Sequence, residues 1–195
     1  MSISEEIEAC FKEFEEELEF ARNLLLVLKM RSLRTEIRSV RPLAALRDEF
    51  GPIRSYAKEF IDQVSEAALP LILIYCVSSL EVFLRSLWEL KMGDITRDLR
   101  RIFSDLKCFS KKIKHKYNVE IGRLVFQANA VAQKRHILIH NKGVIDNDSL
   151  SKFREAGITE FSEGQKLLLT VEDVEKDIKV LEEFATTVKD FFLKC

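Results

Sequence analysis

Apolar residues recur at helical spacing near both ends of this chain. Ile7, Phe11, Phe14 and Leu18 lie near the start. Val174, Ile178, Leu181, Phe184, Val188 and Phe191 lie near the end. Steps of three and four place such residues on one face of a helix, whereas strand side chains alternate between two faces. Punctuation is sparse, with six Gly and three Pro in 195 residues. Long helices with short connections follow, so the expected fold class is all-α. The length suffices for one full core or a core with a helical extension. The hydrophobic fraction of 47% and charged fraction of 32% are those of a folded globular chain.

Charge divides the chain. Met1 to Phe20 holds eight glutamates and one lysine, which predicts an amphipathic helix with an acidic outer face. Lys29 to Lys58 reverses to eight basic and three acidic residues, with breaks at Pro42 and Gly51-Pro52. Pro52 suits the first turn of a new helix. Residues 1–60 are therefore expected as an N-terminal helical extension packing on a core domain of 61–195. The apolar run Ala67 to Leu80 is bounded by Glu66 and Glu81. It is shorter than a bilayer span and predicts a buried helix and no membrane. Pro70 should kink or restart that helix, and Gly93 should stop it after Met92. Asp94 is expected to cap a helix carrying Leu99, Ile102, Phe103 and Leu106. A further helix is expected from about Glu120 to Asn141. Residues 144–169 are polar, and a small loop or hairpin insertion is expected there, pairing Val144-Ile145 with Leu167–Leu169. Thr170-Val171-Glu172-Asp173 resembles a capping box opening the last helix. The acidic start is unlike a signal peptide. Cys10, Cys76, Cys108 and Cys195 lack Cys-x-x-Cys spacing, so reduced thiols and a cytoplasmic location are expected.

The chemistry concentrates in Arg135-His136-Ile137-Leu138-Ile139-His140, which holds two of the three histidines. Following Leu124, Ala128 and Val131, the next position on the same face is Arg135. An arginine on an apolar stripe either snorkels its head into water or gives its charge to a carboxylate, a phosphate or a subunit interface. His136 and His140 are four apart and share a face. Arg135 and His140 are five apart and diverge by ~140°, so a single helix does not close both onto one small anion. Two copies related by a two-fold axis can. Gly143 suits a left-handed helix cap. Glu81 and Arg85 are the only charges between Glu66 and Glu89. Glu81 shares a face with Ile74, Val77, Leu84 and Trp88 and must find a partner. Arg85, four residues on, is one choice. The stretch Arg97–Lys116 carries Arg97, Arg100, Arg101, Lys107, Lys111, Lys112, Lys114 and Lys116 against Asp98 and Asp105. It is either a solvated helix face or a flank for a phosphate backbone. The two histidines are spaced as zinc ligands, but Ile137 stands where a zincin has Glu, and no third ligand is evident. No phosphate-binding glycine loop, nucleophile elbow or dinucleotide fingerprint is present. No metal and no cofactor are expected.

Arg135, a polar His136, a short spacer and His140, continued by Asn141-Lys142-Gly143-Val144-Ile145-Asp146, resemble the signature of the HEPN superfamily. Ser78-Ser79-Leu80-Glu81-Val82-Phe83-Leu84-Arg85 is similar to the first core helix of such domains. Phe161 to Leu167 and the helix from Thr170 resemble their tail. The resemblance covers roughly Leu71 to Phe192, and its specific part is Ala132–Asp146. It implies a HEPN-like helical bundle with an additional N-terminal helical region. It also implies that the helix of Glu81 packs near the motif helix, with Arg135 as the second possible partner of Glu81. The implied activity is a metal-independent endoribonuclease working at a homodimer interface. His140 would be base or acid, Arg135 the phosphate clamp and His136 a partner in orienting or proton transfer. Asn141 would position His140 or a phosphate oxygen. Arg100, Lys111, Lys112 and Lys114 would flank the RNA. A toxin–antitoxin or defence role, with an antitoxin protein as a further partner, is implied with it. The other class of reading is a helical module that keeps the fold without hydrolysis and binds RNA, a nucleotide or a protein.

Overall fold

Two capping boxes set the outer helices. Ser2 and Glu5 exchange bonds of 2.7 and 3.3 Å at the start of α1 (Ile3–Val40). Thr170 and Asp173 exchange bonds of 3.0 and 3.1 Å at the start of α6 (Val171–Lys194). Each pair satisfies orphan donors of a first turn reciprocally. The structure, a computed structural model, describes residues 2–40, 47–93, 100–103, 105–117 and 121–194. Side chains are described for 2–30, 67–93, 102–103, 105–117 and 121–194. Among these residues the fold is all-α. Between the outer helices come α2 (Arg47–Met92), a 3₁₀ turn (Arg100–Phe103), α3 (Leu106–Tyr117), α4 (Leu124–His140) and α5 (Asn147–Glu155).

The apolar stripes meet in one core. Ile7, Phe11, Phe14 and Leu18 of α1 are buried, as are Val174, Ile178, Leu181, Phe184 and Val188 of α6. The last step of α6 falls on Phe192, which is fully buried, rather than on Phe191, which packs edge-on against Tyr117 at 5.3 Å. α1, α2 and α6 pack on one another, and α4 packs on α2 and α6. Phe14 stacks on Phe83 with centroids 5.3 Å apart. Trp88 meets Phe103 edge-on at 6.0 Å. Residues of α1 thus share a core with α2, α4 and α6, and α2 crosses residue 60 without a break.

Several expected breaks are absent or shifted. Gly51-Pro52 lies inside α2, and at Pro70, inside the helix as expected, α2 does not restart. Proline at 70 forfeits one intrahelical hydrogen bond, while burial of Leu69, Ile72 and Leu73 holds the helix on either side. Pro42 and Asp94 lie outside the described residues. In place of one helix through Leu106, a 3₁₀ turn ends at Phe103 and α3 begins anew. The Asp105 carboxylate caps α3, accepting from the Cys108 N–H at 3.1 Å. α2 ends at Met92 as expected, with Gly93 at φ 87°. The apolar part of α2 runs on to Met92. Ala67–Met92, 26 residues, is by length and composition long and apolar enough to cross a membrane. In this fold Leu73, Cys76, Val77, Leu80, Leu84 and Leu87 of that stretch are core. Cys10, Cys76 and Cys108 are free thiols, and burial pushes Cys76 up to about 12. Cys195 lies outside the described residues.

The insertion before α6 holds more than a hairpin. Val144 and Lys166 form an antiparallel bridge, with Ile145 N–H donating to Gln165 at 2.9 Å and Leu167 N–H to Gly143 at 2.8 Å. Between these arms lies α5, which the sequence reading missed. Its signals were present. Asp146 caps it, accepting from the Ser149 N–H at 2.8 Å, and Leu150 and Phe153 supply a short apolar face. Ile145, Leu150, Phe153 and Leu167 form a second small core against Ala130 and Ile137 of α4.

Candidate functional site

α4 is enclosed by α2, α3, α5 and α6, so most of its first eleven residues are buried. Polar side chains there are committed to packing. Asn129 accepts the Leu106 N–H at 3.1 Å. Gln133 donates to Ser149 Oγ at 2.8 Å and accepts from Lys152 Nζ at 2.9 Å. Lys134 Nζ reaches both oxygens of Asp177 at 2.8 Å. The last two turns emerge and present Arg135, His136, Ile139 and His140 on one arc about 140° wide.

The start and end of α4 follow from backbone chemistry. Gly122 at φ 72° breaks the chain just before Leu124, so the helix begins later than the expected Glu120. At the other end Asn141 and Gly143 N–H groups both return to the Ile137 carbonyl, at 3.1 and 3.0 Å. The left-handed turn starts one residue earlier than expected, with Lys142 at φ 53° and Gly143 at φ 79°. His140 is the last helical residue.

Of the two partners open to Glu81, the structure brings up Arg135, whose Nη1 lies 3.5 Å from Oε1. Arg85 instead places its guanidinium 5.8 Å from the Phe103 ring centre. The Glu81–Arg135 pair is incomplete. Glu81 Oε1 and Arg135 Nε are buried without a hydrogen-bond partner among the described residues. Burial raises the Glu81 carboxyl above its ordinary value, against the opposing pull of Arg135 and then Arg85.

The histidines lie side by side, ring centres 4.8 Å apart, both exposed. Partial burial lowers His136 below the ordinary histidine value, and His140 and Lys152 lower it further against the pull of Asp146 and Asp148. The lowered value favours the neutral ring. The Asn141 amide donates to Asp146 Oδ2 at 2.6 Å and so ties the end of α4 to the cap of α5. That carboxylate also accepts from Ser149, and these bonds hold Asp146 below the usual carboxylate range.

The basic stretch divides. Arg97 and the side chains of Arg100 and Arg101 lie outside the described residues. Lys107 binds Glu155 at 2.7 Å and covers the Phe126 ring, linking α3 to α4 and α5. Lys111, Lys112 and Lys114 are exposed on α3. They lie away from the histidines. Leu106 sits beside Asn129, eleven residues before His140 or about 16 Å along the helix, and Tyr117 packs against Phe191 and Phe192 near the far end of α6. The structure therefore brings together Arg135, Glu81, His136, His140 and Asn141, and sets the lysines apart.

Sequence reasoning missed Lys134 and Asp177. The signal was available, because Asp177 falls three after Val174 and four before Leu181, on the apolar stripe of α6. Burial raises the Asp177 carboxyl, with Lys134 opposing. Among the described residues no group of three or more His, Cys, Asp or Glu side chains is placed to hold a metal ion. Comparison with known protein families, with characterised proteins and with solved structures returns no match for this chain.

Proposed function

We propose that this chain is a metal-independent endoribonuclease of the HEPN type, acting as a homodimer through the exposed end of α4. The observation that carries the reading is the arc of Arg135, His136, Ile139 and His140, in which two neighbouring histidines stand beside a partly exposed arginine held by one long ion pair. RNA supplies its own nucleophile, the 2′-hydroxyl. A histidine takes its proton as the oxygen attacks phosphorus, the bond to the 5′-oxygen breaks, and a second histidine returns a proton to that leaving oxygen. His136, whose neutral form is favoured, is suited to accept; His140 acts as base or acid. Arg135 stabilises charge developing on the phosphate, its planar fork matching two oxygens. Because Arg135 and His140 diverge along one helix, the two-fold mate supplies the missing half of each site.

One observation favours the other class. Arg135 already lies 3.5 Å from Glu81, which holds part of its charge within the fold and away from a substrate phosphate. One assay separates the two. Purified protein is incubated with structured and unstructured RNA in excess EDTA, beside His140→Ala and Arg135→Ala. The ribonuclease reading expects cleavage, and a loss of about 10²-fold or more in each variant. Binding of either RNA with no cleavage places the chain with the non-hydrolytic modules. A strict monomer by sedimentation at about tens of micromolar, with cleavage retained, removes the two-copy site.

A further inference from the structure

The face of α2 between α1 and α4 carries apolar side chains that nothing in the described fold covers. Leu71, Tyr75, Ser78 and Val82 stand at i, i+4, i+7 and i+11, a stripe along three turns or about 16 Å of helix. Leu71 is 66% exposed and Val82 61%, values at odds with the burial of their neighbours on the helix. Phe20 of α1, 54% exposed, meets Tyr75 edge-on at 5.9 Å and extends the stripe across the helix pair. An open hollow of about 450 Å³ adjoins the stripe at Tyr75, lined by Glu13, Glu16, Glu17, Phe20 and Tyr75, and Leu71 lies one turn beyond it. It continues into a second hollow of about 230 Å³ that Glu13, Glu17 and Tyr75 also line. One wall is therefore acidic. Among the described residues its paired cation is Lys12, 3.7 Å from Glu16. An apolar floor with a negative rim is the surface that an amphipathic helix fits when it has one basic flank. Phosphate polymers and anionic lipid are disfavoured by the same three carboxylates.

We infer that the α1–α2 groove is a docking site for a partner protein's amphipathic helix. The leucine-like residues of that helix would lie on Leu71, Tyr75 and Val82, and its Lys or Arg flank along Glu13, Glu16 and Glu17. This site uses none of the α4 arc residues and stands whether or not the chain cuts RNA. Apolar contact supplies most of the affinity, and the charged rim supplies orientation and selectivity.

The probe is a fluorescein-labelled 14-residue peptide of Leu and Lys, with leucines at i, i+3, i+4 and i+7, and a Leu/Glu counterpart. Anisotropy is read on the full chain at about 50 and 300 mM salt. The Leu/Lys peptide is expected to bind at micromolar levels and the Leu/Glu peptide not to bind. Glu13→Gln with Glu16→Gln and Glu17→Gln should weaken binding about tenfold at low salt and less at high salt. Leu71→Ser with Val82→Ser should weaken it about tenfold at both. These positions are exposed, and circular dichroism checks that the helices persist. A charge-matched control, Glu15→Gln with Glu19→Gln and Glu172→Gln, should stay within about twofold. An equal loss in that control reduces the effect to net charge and overturns the site. So does native-like binding in the rim or the Leu71/Val82 variants. Native chain that self-associates in sedimentation, with that association lost in Leu71→Ser/Val82→Ser, assigns the face to a second copy and overturns it too.

Discussion

Adjacent residues on α4 make two cation–carboxylate pairs of opposite character. Lys134 reaches both oxygens of Asp177 at 2.8 Å, with side chains only 10% and 8% exposed. Arg135 stands 3.5 Å from Glu81, at 24% and 12%, and its Nε and the facing Oε1 lack hydrogen bonds. The first pair is closed and locks α4 to α6. The second is loose, and it joins α4 to α2 beside the histidines. A buried charge whose bonds are complete is bound into the fold, and removing one partner strands the other. A partly exposed guanidinium held by a single long contact can still turn toward an added anion. One helical step of about 100° separates a structural cation from one that a phosphate could recruit.

The largest effect that tests this contrast is on stability. Asp177→Asn should cost about 3–5 kcal/mol in denaturant unfolding, because it leaves a buried ammonium without its counter-charge. Lys134→Met combined with Asp177→Leu should recover most of that loss. A cost below about 1 kcal/mol would mean that Lys134 escapes to water, and the locked pair would dissolve as an explanation.

Glu81→Gln should cost less, about 1 kcal/mol, since no hydrogen bond is broken and Arg135 is partly exposed. On the ribonuclease reading it should also free Arg135, so RNA affinity holds or rises by about a few-fold. Equal stability losses at positions 81 and 177 would erase the difference between the two pairs. Weaker RNA binding in Glu81→Gln would make Glu81 a support that aims Arg135.

The smallest effect is a titration. His136 should show an NMR midpoint below the ordinary 6.5. A lowered folded value means that its contribution to stability is present above about 6.5 and is lost as pH falls through the folded midpoint. His136→Gln should remove that part of the acid sensitivity. A midpoint at or above 6.5 would leave His136 charged more often than the proposed proton acceptor allows, and would shift that role to His140.

Much of the frame was legible because it is local. Ile7 to Leu18 and Val174 to Val188 announce helices by their own spacing, Thr170 and Asp173 cap by theirs, and Gly93 stops α2 as a left-handed residue. The meeting of the two apolar pieces that flank the polar stretch was visible, but its register was not: Val144 bridges Lys166, one residue before the expected Leu167–Leu169. Arg135 was visible as a charge on an apolar stripe. What stayed hidden required knowing which surfaces meet. Pro70 reads as a kink or a restart; α2 does not restart there, with Leu69, Ile72 and Leu73 buried on either side of the one missing hydrogen bond. α5 is too short for its periodicity to stand out, and it is held by packing on α4.

By itself the sequence determined that this chain is helical, where its last helix begins, and which charges must seek partners, because capping, periodicity and desolvation act over one or two turns. Only the tertiary structure decided the partners. Glu81 faces Arg135, 54 positions away, rather than Arg85, four away; Lys134 takes Asp177; the lysines of α3 sit apart from the histidines. Those choices depend on which helix faces pack together, and spacing along one helix carries no record of the face that will lie against it.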